Sequence, residues 1–334
     1  MTFQTFAKVE LHLHLDCSPS LEVLAGIDPD IDELCYREQY QLRDKCTDLS
    51  DFLTRVPRIL ALMQSRDRLR AITLDLFRQL KADGVIYAEI RFAPLLHVEQ
   101  GLSAEEVVAC VDEAVEAAIA ETGVEGRLIL CTLRHFSCEM GIETVSLVQQ
   151  FRNRYVVGLD LAADEAGFPI EPHVEAFKLA ERWGLQRTAH AGEALGAASV
   201  RQTLQQLRPS RIGHGVRSIE EPQLVEELAA SGVHLEVCPT CNVIINVFES
   251  LQKHPVDALL RAGVSLSINT DGRTVPALTL SSEYAQLAAV FGWGAAEFLK
   301  VNMYALDAAF MSKNLRKTLS DRLSKSYGML GEAF

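Results

Sequence analysis

The sequence predicts an α/β fold, a TIM (β/α)₈ barrel with a helical insertion after the first strand. Three observations carry that reading. Eight short apolar, β-branched runs recur along the 334 residues, each followed by a polar loop and then an amphipathic stretch. The later runs are spaced about 25 to 30 residues apart, the length of a βα repeat. No Pro/Gly-rich linker or low-complexity segment divides the chain, so positions 1–334 are expected to form a single barrel domain.

In order, the runs are KVELHLH (8–14), VIYAEIRF (85–92), GRLILCTLRHF (126–136), VVGLDLA (156–162), LQRTAHA (185–191), SRIGHGV (210–216), VHLEVCP (233–239) and VSLSINTD (264–271). Helical stretches separate them, for example 103–122 and 220–232. The first of these opens on a Ser-x-x-Glu capping box, Ser103 to Glu106. About 70 residues intervene between the first and second runs, instead of one short helix. This insertion follows the first strand, at the end of a barrel where active sites form. Its segment 40–83 is a candidate lid or pocket wall, although plain packing helices fit most of its residues equally well.

Composition excludes several function classes. Hydrophobic residues make up 48% of the chain, ample for a large core and inconsistent with disorder. The formal charge of −13 would repel phosphate backbones, so duplex nucleic acid is not an expected partner. The first residues carry no cationic segment followed by an apolar run, and no stretch reaches the ~18 uninterrupted apolar residues of a membrane span. A cytoplasmic protein is therefore expected, with no membrane partner. Its eight cysteines are expected to be reduced thiols, mostly in the core. Oligomeric state is not readable from the sequence.

The residues able to do chemistry gather at the ends of the predicted strands. His12 and His14 close the first run, and alternate strand residues face one side, so both imidazoles point the same way. His190-Ala191-Gly192-Glu193 closes the fifth run, His214 lies between Gly213 and Gly215 at the sixth, and Asp271 ends the eighth. Each signal is weak alone: His190 could be a core histidine, Gly-His-Gly a simple turn and Asp271 a helix cap. In a barrel, however, all these ends converge on one mouth. Three imidazoles and a carboxylate make a borderline-soft ligand set that suits zinc. The seventh run contains His234, Glu236, Cys238 and Cys241, which resemble the elements of cytidine-type zinc deaminases. The two halves are nearly contiguous and no Pro precedes Cys238, so this run reads as a barrel strand with Cys238 in the core.

Taken together, KVELHLHLD (8–16), DLAADE (160–165), HAGE (190–193), RIGHG (211–215) and SINTD (267–271) resemble the adenosine deaminase family of the amidohydrolase superfamily. LILCTLRHF (128–136) and CPTCN (238–242) extend the resemblance over almost the whole chain, in order. The resemblance implies one zinc ion held by His12, His14, His190 and Asp271. It implies hydrolytic deamination of adenosine and 2′-deoxyadenosine to inosine and ammonia, with water activated by zinc attacking C6. Glu193 would protonate N1 of the purine, and His214 with Asp271 would orient and deprotonate the water. Substrate contacts would fall to His14, to Asp16 at a ribose hydroxyl, and to the backbone N–H near Ala163 at N3. The expected partner is thus a small purine nucleoside. A general acid at N1 must be protonated when it acts, so Glu193 is expected to have a raised pKa in a buried site.

Three positions depart from the family pattern. Gly272 stands where many members carry a second Asp that contacts N7, a deficit that Arg273 or a water could meet. Ala163 stands where Gly is common, and Cys17 follows Asp16 where Gly is usual. All three bear on the substrate rather than the reaction. Another 6-aminopurine (adenine, an N6-substituted adenine or aminodeoxyfutalosine) therefore remains an alternative, with Asp16 favouring a nucleoside. A non-purine amidohydrolase is a further reading, since the fold hosts many hydrolyses, but an acid three residues after His190 is specifically useful to a purine-like ring. A degenerate, non-catalytic barrel is disfavoured by the presence of every ligand, the acid and the base.

Overall fold

The computed structural model describes residues 3–42 and 44–331. Among these, eight parallel strands pair in chain order: β1 (Lys8–His14), β2 (Val85–Phe92), β3 (Glu125–Leu133), β4 (Val156–Ala162), β5 (Gln186–Ala191), β6 (Arg211–His214), β7 (His234–Val237) and β8 (Leu266–Ile268). The result is a nearly closed (β/α)₈ barrel with helices between the strands. Every residue of β2 is buried, as expected when one sheet face packs on the barrel interior and the other on helices.

The expected and observed strands agree in number and order, but several differ at their ends. The third run stops at Leu133: the Arg134 N–H still reaches the Ala162 carbonyl (2.9 Å), but the Phe136 N–H turns back to the Leu133 carbonyl (2.7 Å) and takes 135–136 out of the ladder. β8 is only three residues long. Closure there depends on the following loop, where Leu13 and Asp271 form an isolated bridge: the His14 N–H donates to the Asp271 carbonyl (2.8 Å) and the Asp271 N–H to the His12 carbonyl (3.1 Å). The Asn269 side chain fills the gap below, its Oδ1 accepting from the backbone N–H groups of Leu11 (2.8 Å) and His12 (3.2 Å). An amide side chain thus substitutes for the ladder bonds that a longer β8 would have made.

The insertion after β1 is helical: Leu21–Ile27, Glu33–Gln39, Leu49–Leu53, Val56–Leu62 and Arg66–Ala82. Ser20, Asp32 and Asp48 cap the first three, each side chain accepting a backbone N–H one turn on. The last helix buries Leu69, Ile72, Leu76, Phe77 and Leu80 along one face and belongs to the barrel's outer layer. The expected capping box is present, with Ser103 and Glu106 bonded reciprocally at the start of the helix Ala104–Thr122. All eight cysteines are free thiols. No helix among the described residues is long and apolar enough to cross a membrane.

At three strand ends the chain leaves the barrel through left-handed backbone at non-glycine residues: Ala163 (φ 75°), His214 (φ 60°) and Asp271 (φ 67°). Such residues cost roughly 1–2 kcal/mol each, and here they mark the mouth of the barrel. At Ala163 the methyl group carries that cost. Replacing Ala163 with Gly should relieve the strain while adding unfolded-state entropy, for a net gain of about 0.5–1 kcal/mol in urea unfolding. A loss of stability would show that the methyl contributes packing that outweighs the strain.

Candidate active site

The strand order brings His12, His14, His190 and Asp271 together, with one donor atom from each within 4.8 Å of the others. His12 and His14 come from one face of β1, His190 from the end of β5 and Asp271 from the loop after β8. The His14 and His190 Nε2 atoms face each other at 3.3 Å, while Asp271 Oδ1 lies 3.2 Å from His12 Nε2 and 3.4 Å from His14 Nε2. Gly213 makes room for this convergence. A Cβ there would sit 2.9 Å from His12 Cε1 and 3.2 Å from His190 Cγ.

The outer nitrogens decide which atoms face inward. His12 Nδ1 donates to Glu236 Oε2 (2.8 Å), and His190 Nδ1 donates to Asp160 Oδ1 (3.2 Å) and the Leu161 carbonyl (3.1 Å). With the proton on Nδ1, each ring turns the Nε2 lone pair toward the centre, where His12 Nε2 is buried without a hydrogen-bond partner. Burial pushes the Asp271 carboxyl up, but the adjacent His12 and the surrounding imidazoles outweigh it and hold it well below the usual range. An ionised carboxylate and lone pairs pointing inward, with ligand atoms spaced like the roughly 3.3 Å edge of a tetrahedral zinc site, fit a divalent metal.

Glu193 and His214 stand beside this cluster. Both are buried, and His214 Nε2 lies 3.4 Å from Glu193 Oε1. Burial pushes the Glu193 carboxyl well above its usual range, with Asp271 and Glu165 adding to the effect, in the direction expected for a proton donor. Glu165 also fixes the loop that presents Glu193. Its carboxylate accepts from the backbone N–H groups of Gly192 (2.8 Å), Glu193 (3.1 Å) and Leu195 (2.8 Å), and from the Ser199 hydroxyl (2.5 Å). Asp16 is buried with Oδ1 unpartnered, and burial raises its carboxyl to about 6.

These groups line a cleft of about 460 Å³ that also includes Ala163. Part of its wall comes from the insertion, through Leu49, Phe52, Leu53, Val56, Pro57 and Leu60. The pocket-wall expectation for segment 40–83 thus applies to its middle, whereas Arg66–Ala82 packs on the barrel. No Lys or Arg lines this cleft among the described residues.

Sequence reasoning missed the support beneath the site. The buried Arg91 guanidinium bonds Asp160 Oδ2 (2.8 Å), Glu236 Oε2 (2.6 Å) and the Leu11 carbonyl (2.7 Å), linking the two carboxylates that orient His190 and His12. Arg211 binds the same Glu236 (2.7 Å) together with Glu89 (2.6 Å). A charged residue in the middle of an apolar strand was the available signal, at Arg91 and again at Glu236. The seventh strand is not a second metal site: His234 hydrogen-bonds Ser265 and Ser267, while Glu236 serves His12. Cys241, which falls in both the cytidine-type motif and CPTCN (238–242), donates its thiol to Asp271 Oδ2 (2.9 Å).

The departures at Cys17 and Gly272 are physically linked. A Cβ on Gly272 would lie 2.6 Å from Cys17 Cβ and 3.0 Å from the Cys17 carbonyl, so the Cys17 side chain occupies the space a residue at 272 would need. Backbone bonds from Arg273 and Thr274 to the Cys17 carbonyl (3.1 and 2.8 Å) lock the two segments together. Arg273 does not replace a carboxylate at the pocket, because its guanidinium turns into the core and pairs with Glu10 and Asp83 (both 3.0 Å). Gly272→Asp alone should therefore destabilise the fold by about 1–3 kcal/mol through overpacking. Adding Cys17→Gly should recover most of that loss in thermal unfolding. Equal stability of the single and double variants would show that the two positions are uncoupled.

The adenosine deaminase family model matches residues 7–326. An adenosine deaminase of Clostridium acetobutylicum is 33% identical over 330 residues, covering 95% of this chain and 96% of that protein. One from Enterococcus faecalis is 34% identical over 326 residues, covering 96% of each. Among solved structures, an adenine deaminase from Arthrobacter aurescens superposes with a TM-score of 0.87 at 27% identity, covering 95% of this chain and 98% of that one. The barrel, the buried His/Asp cluster and these matches lead to one conclusion: the chain belongs to the adenosine deaminase family and is a hydrolytic deaminase acting on a purine C–N bond.

Proposed function

We propose that this protein is a zinc-dependent adenosine deaminase, converting adenosine and 2′-deoxyadenosine to inosine and ammonia. The observation that carries this reading is Glu193, a buried carboxyl raised well above its usual range beside the His/Asp cluster. His12, His14, His190 and Asp271 would hold zinc, which when bound lowers the pKa of water from about 15.7 toward 7. Water attack at C6 builds negative charge on the ring, and Glu193 relieves it by delivering a proton to N1. His214 and Asp271 flank the attacking oxygen and orient it. His14, Asp16 and Ala163 line the cleft, where the Asp16 carboxyl would bond a ribose hydroxyl and the Ala163 N–H would meet N3 of the base. With no cation along the cleft, an uncharged nucleoside fits better than a nucleotide.

A second reading is supported by the coupled Cys17–Gly272 substitution and by the apolar wall from Leu49 to Leu60: a 6-aminopurine with an apolar substituent on N6. Both readings keep the mechanism.

Glu193→Gln should fold and bind zinc normally while activity drops by about 10²-fold or more, and near-normal turnover would sink the assignment of the proton donor. The substrate is tested by an ultraviolet assay of the zinc-loaded protein against adenosine, 2′-deoxyadenosine, adenine, an N6-substituted adenine and aminodeoxyfutalosine. Fast turnover of adenosine is the expected result. Silence on adenosine with turnover of another compound would move the substrate assignment to that compound.

A further inference from the structure

One buried chain of hydrogen bonds behind His214 plays no part in the functional reading above. His214 Nδ1 faces Asn242 Nδ2 at 3.1 Å, Asn242 Oδ1 faces His254 Nε2 at 3.3 Å, and His254 Nδ1 accepts from the Val256 backbone N–H at 3.2 Å. All three side chains are buried. The direction of this chain is determined at its far end. A backbone N–H can only donate, so His254 Nδ1 carries a lone pair. Burial lowers the His254 imidazole to about 3, so the ring is neutral and its single proton sits on Nε2. That proton is donated to Asn242 Oδ1, which fixes the amide orientation and turns its NH₂ toward His214. His214 Nδ1 must then accept, leaving the proton of a neutral ring on Nε2.

From this geometry we infer that Asn242 and His254 are positioning residues that hold His214 in the Nε2–H tautomer, so that His214 presents a hydrogen-bond donor to the cleft. The inference rests on the proposed placement of His214 beside the attacking oxygen. It changes His214's part there: the imidazole orients the oxygen by donating to it, rather than by offering a lone pair for its proton. Asn242 sits on the short helix Pro239–Ile244, and Phe248 packs edge-on against the His254 ring (5.0 Å).

The test uses zinc-loaded protein with ¹⁵N-labelled histidine, in which long-range ¹H–¹⁵N correlation spectra report the protonated nitrogen of each ring. The expected wild-type spectrum shows His214 and His254 both protonated at Nε2. Asn242→Asp presents a carboxylate that can only accept, so it should move the His214 proton to Nδ1. On whichever purine the enzyme turns over, kcat should then fall by about 10²-fold with KM changed less than about threefold. His254→Gln, which can still donate to Asn242, should restore most of the activity lost in His254→Phe. A wild-type His214 protonated at Nδ1, or an Asn242→Asp enzyme with a switched ring and unchanged kcat, would overturn the inference. If Asn242→Asp does not fold, the His214 tautomer in wild type and in His254→Phe decides the question. Failure of the proposed function would appear separately, as wild-type silence on every purine, with the ring spectrum still readable.

Discussion

The site depends on a guanidinium buried inside the barrel. Arg91 projects from β2 between Asp160 of β4 and Glu236 of β7, fully removed from water, and binds both. Burial alone would push both carboxyls up, yet each is held low: Asp160 by His190 and Arg91, Glu236 by Arg91 and Arg211. As anions these carboxylates can only accept, so the outer nitrogens of His190 and His12 must donate and the rings turn bare Nε2 atoms inward. Removing one partner from such a buried network leaves an uncompensated charge, a cost on the order of 3–5 kcal/mol. Fold stability and the geometry of the His/Asp cluster therefore share the same few atoms.

Above that base, the chemistry is arranged by where each strand lets go of the barrel. Ala163, His214 and Asp271 occupy left-handed backbone at the ends of β4, β6 and just beyond β8, and each faces the cleft. A strand that simply continued would carry these groups away from the centre. Glu193 is placed differently, by a loop whose N–H groups converge on Glu165. Two acidic residues close together, one satisfied by backbone donors and the other not, place a fixed acceptor beside a carboxyl that favours its protonated form. The apolar wall from the insertion lowers the local dielectric and strengthens each of these effects.

The fold was legible because its signal is periodic and local. Eight apolar runs at βα spacing can be counted without knowing any contact, and three of them, 8–14, 85–92 and 156–162, match their strands at both ends. The site was legible because a barrel gathers strand ends, so His12, His14, His190, His214 and Asp271 could be grouped from position alone. Less visible were Arg91, Asp160, Glu165 and Glu236, whose roles depend on partners up to 224 residues away. The His234–Cys241 segment illustrates the difficulty. Its spacing suggests ligands, while the structure divides it into a serine-bonded histidine, a carboxylate serving His12 and a thiol serving Asp271.

Cys17 and Gly272 mark the boundary between what sequence and structure decide. By itself the sequence determined the barrel, the order of its strands and the residue types gathered at its mouth, because periodicity and strand-end placement are encoded along the chain. Only the tertiary structure showed that Cys17 fills the space beside Gly272, that Arg273 turns into the core, and that the protons of His12 and His190 sit on their outer nitrogens. Steric exclusion and hydrogen-bond direction act between atoms a few ångströms apart, whatever their separation in sequence, and become defined only when the chain has closed on itself.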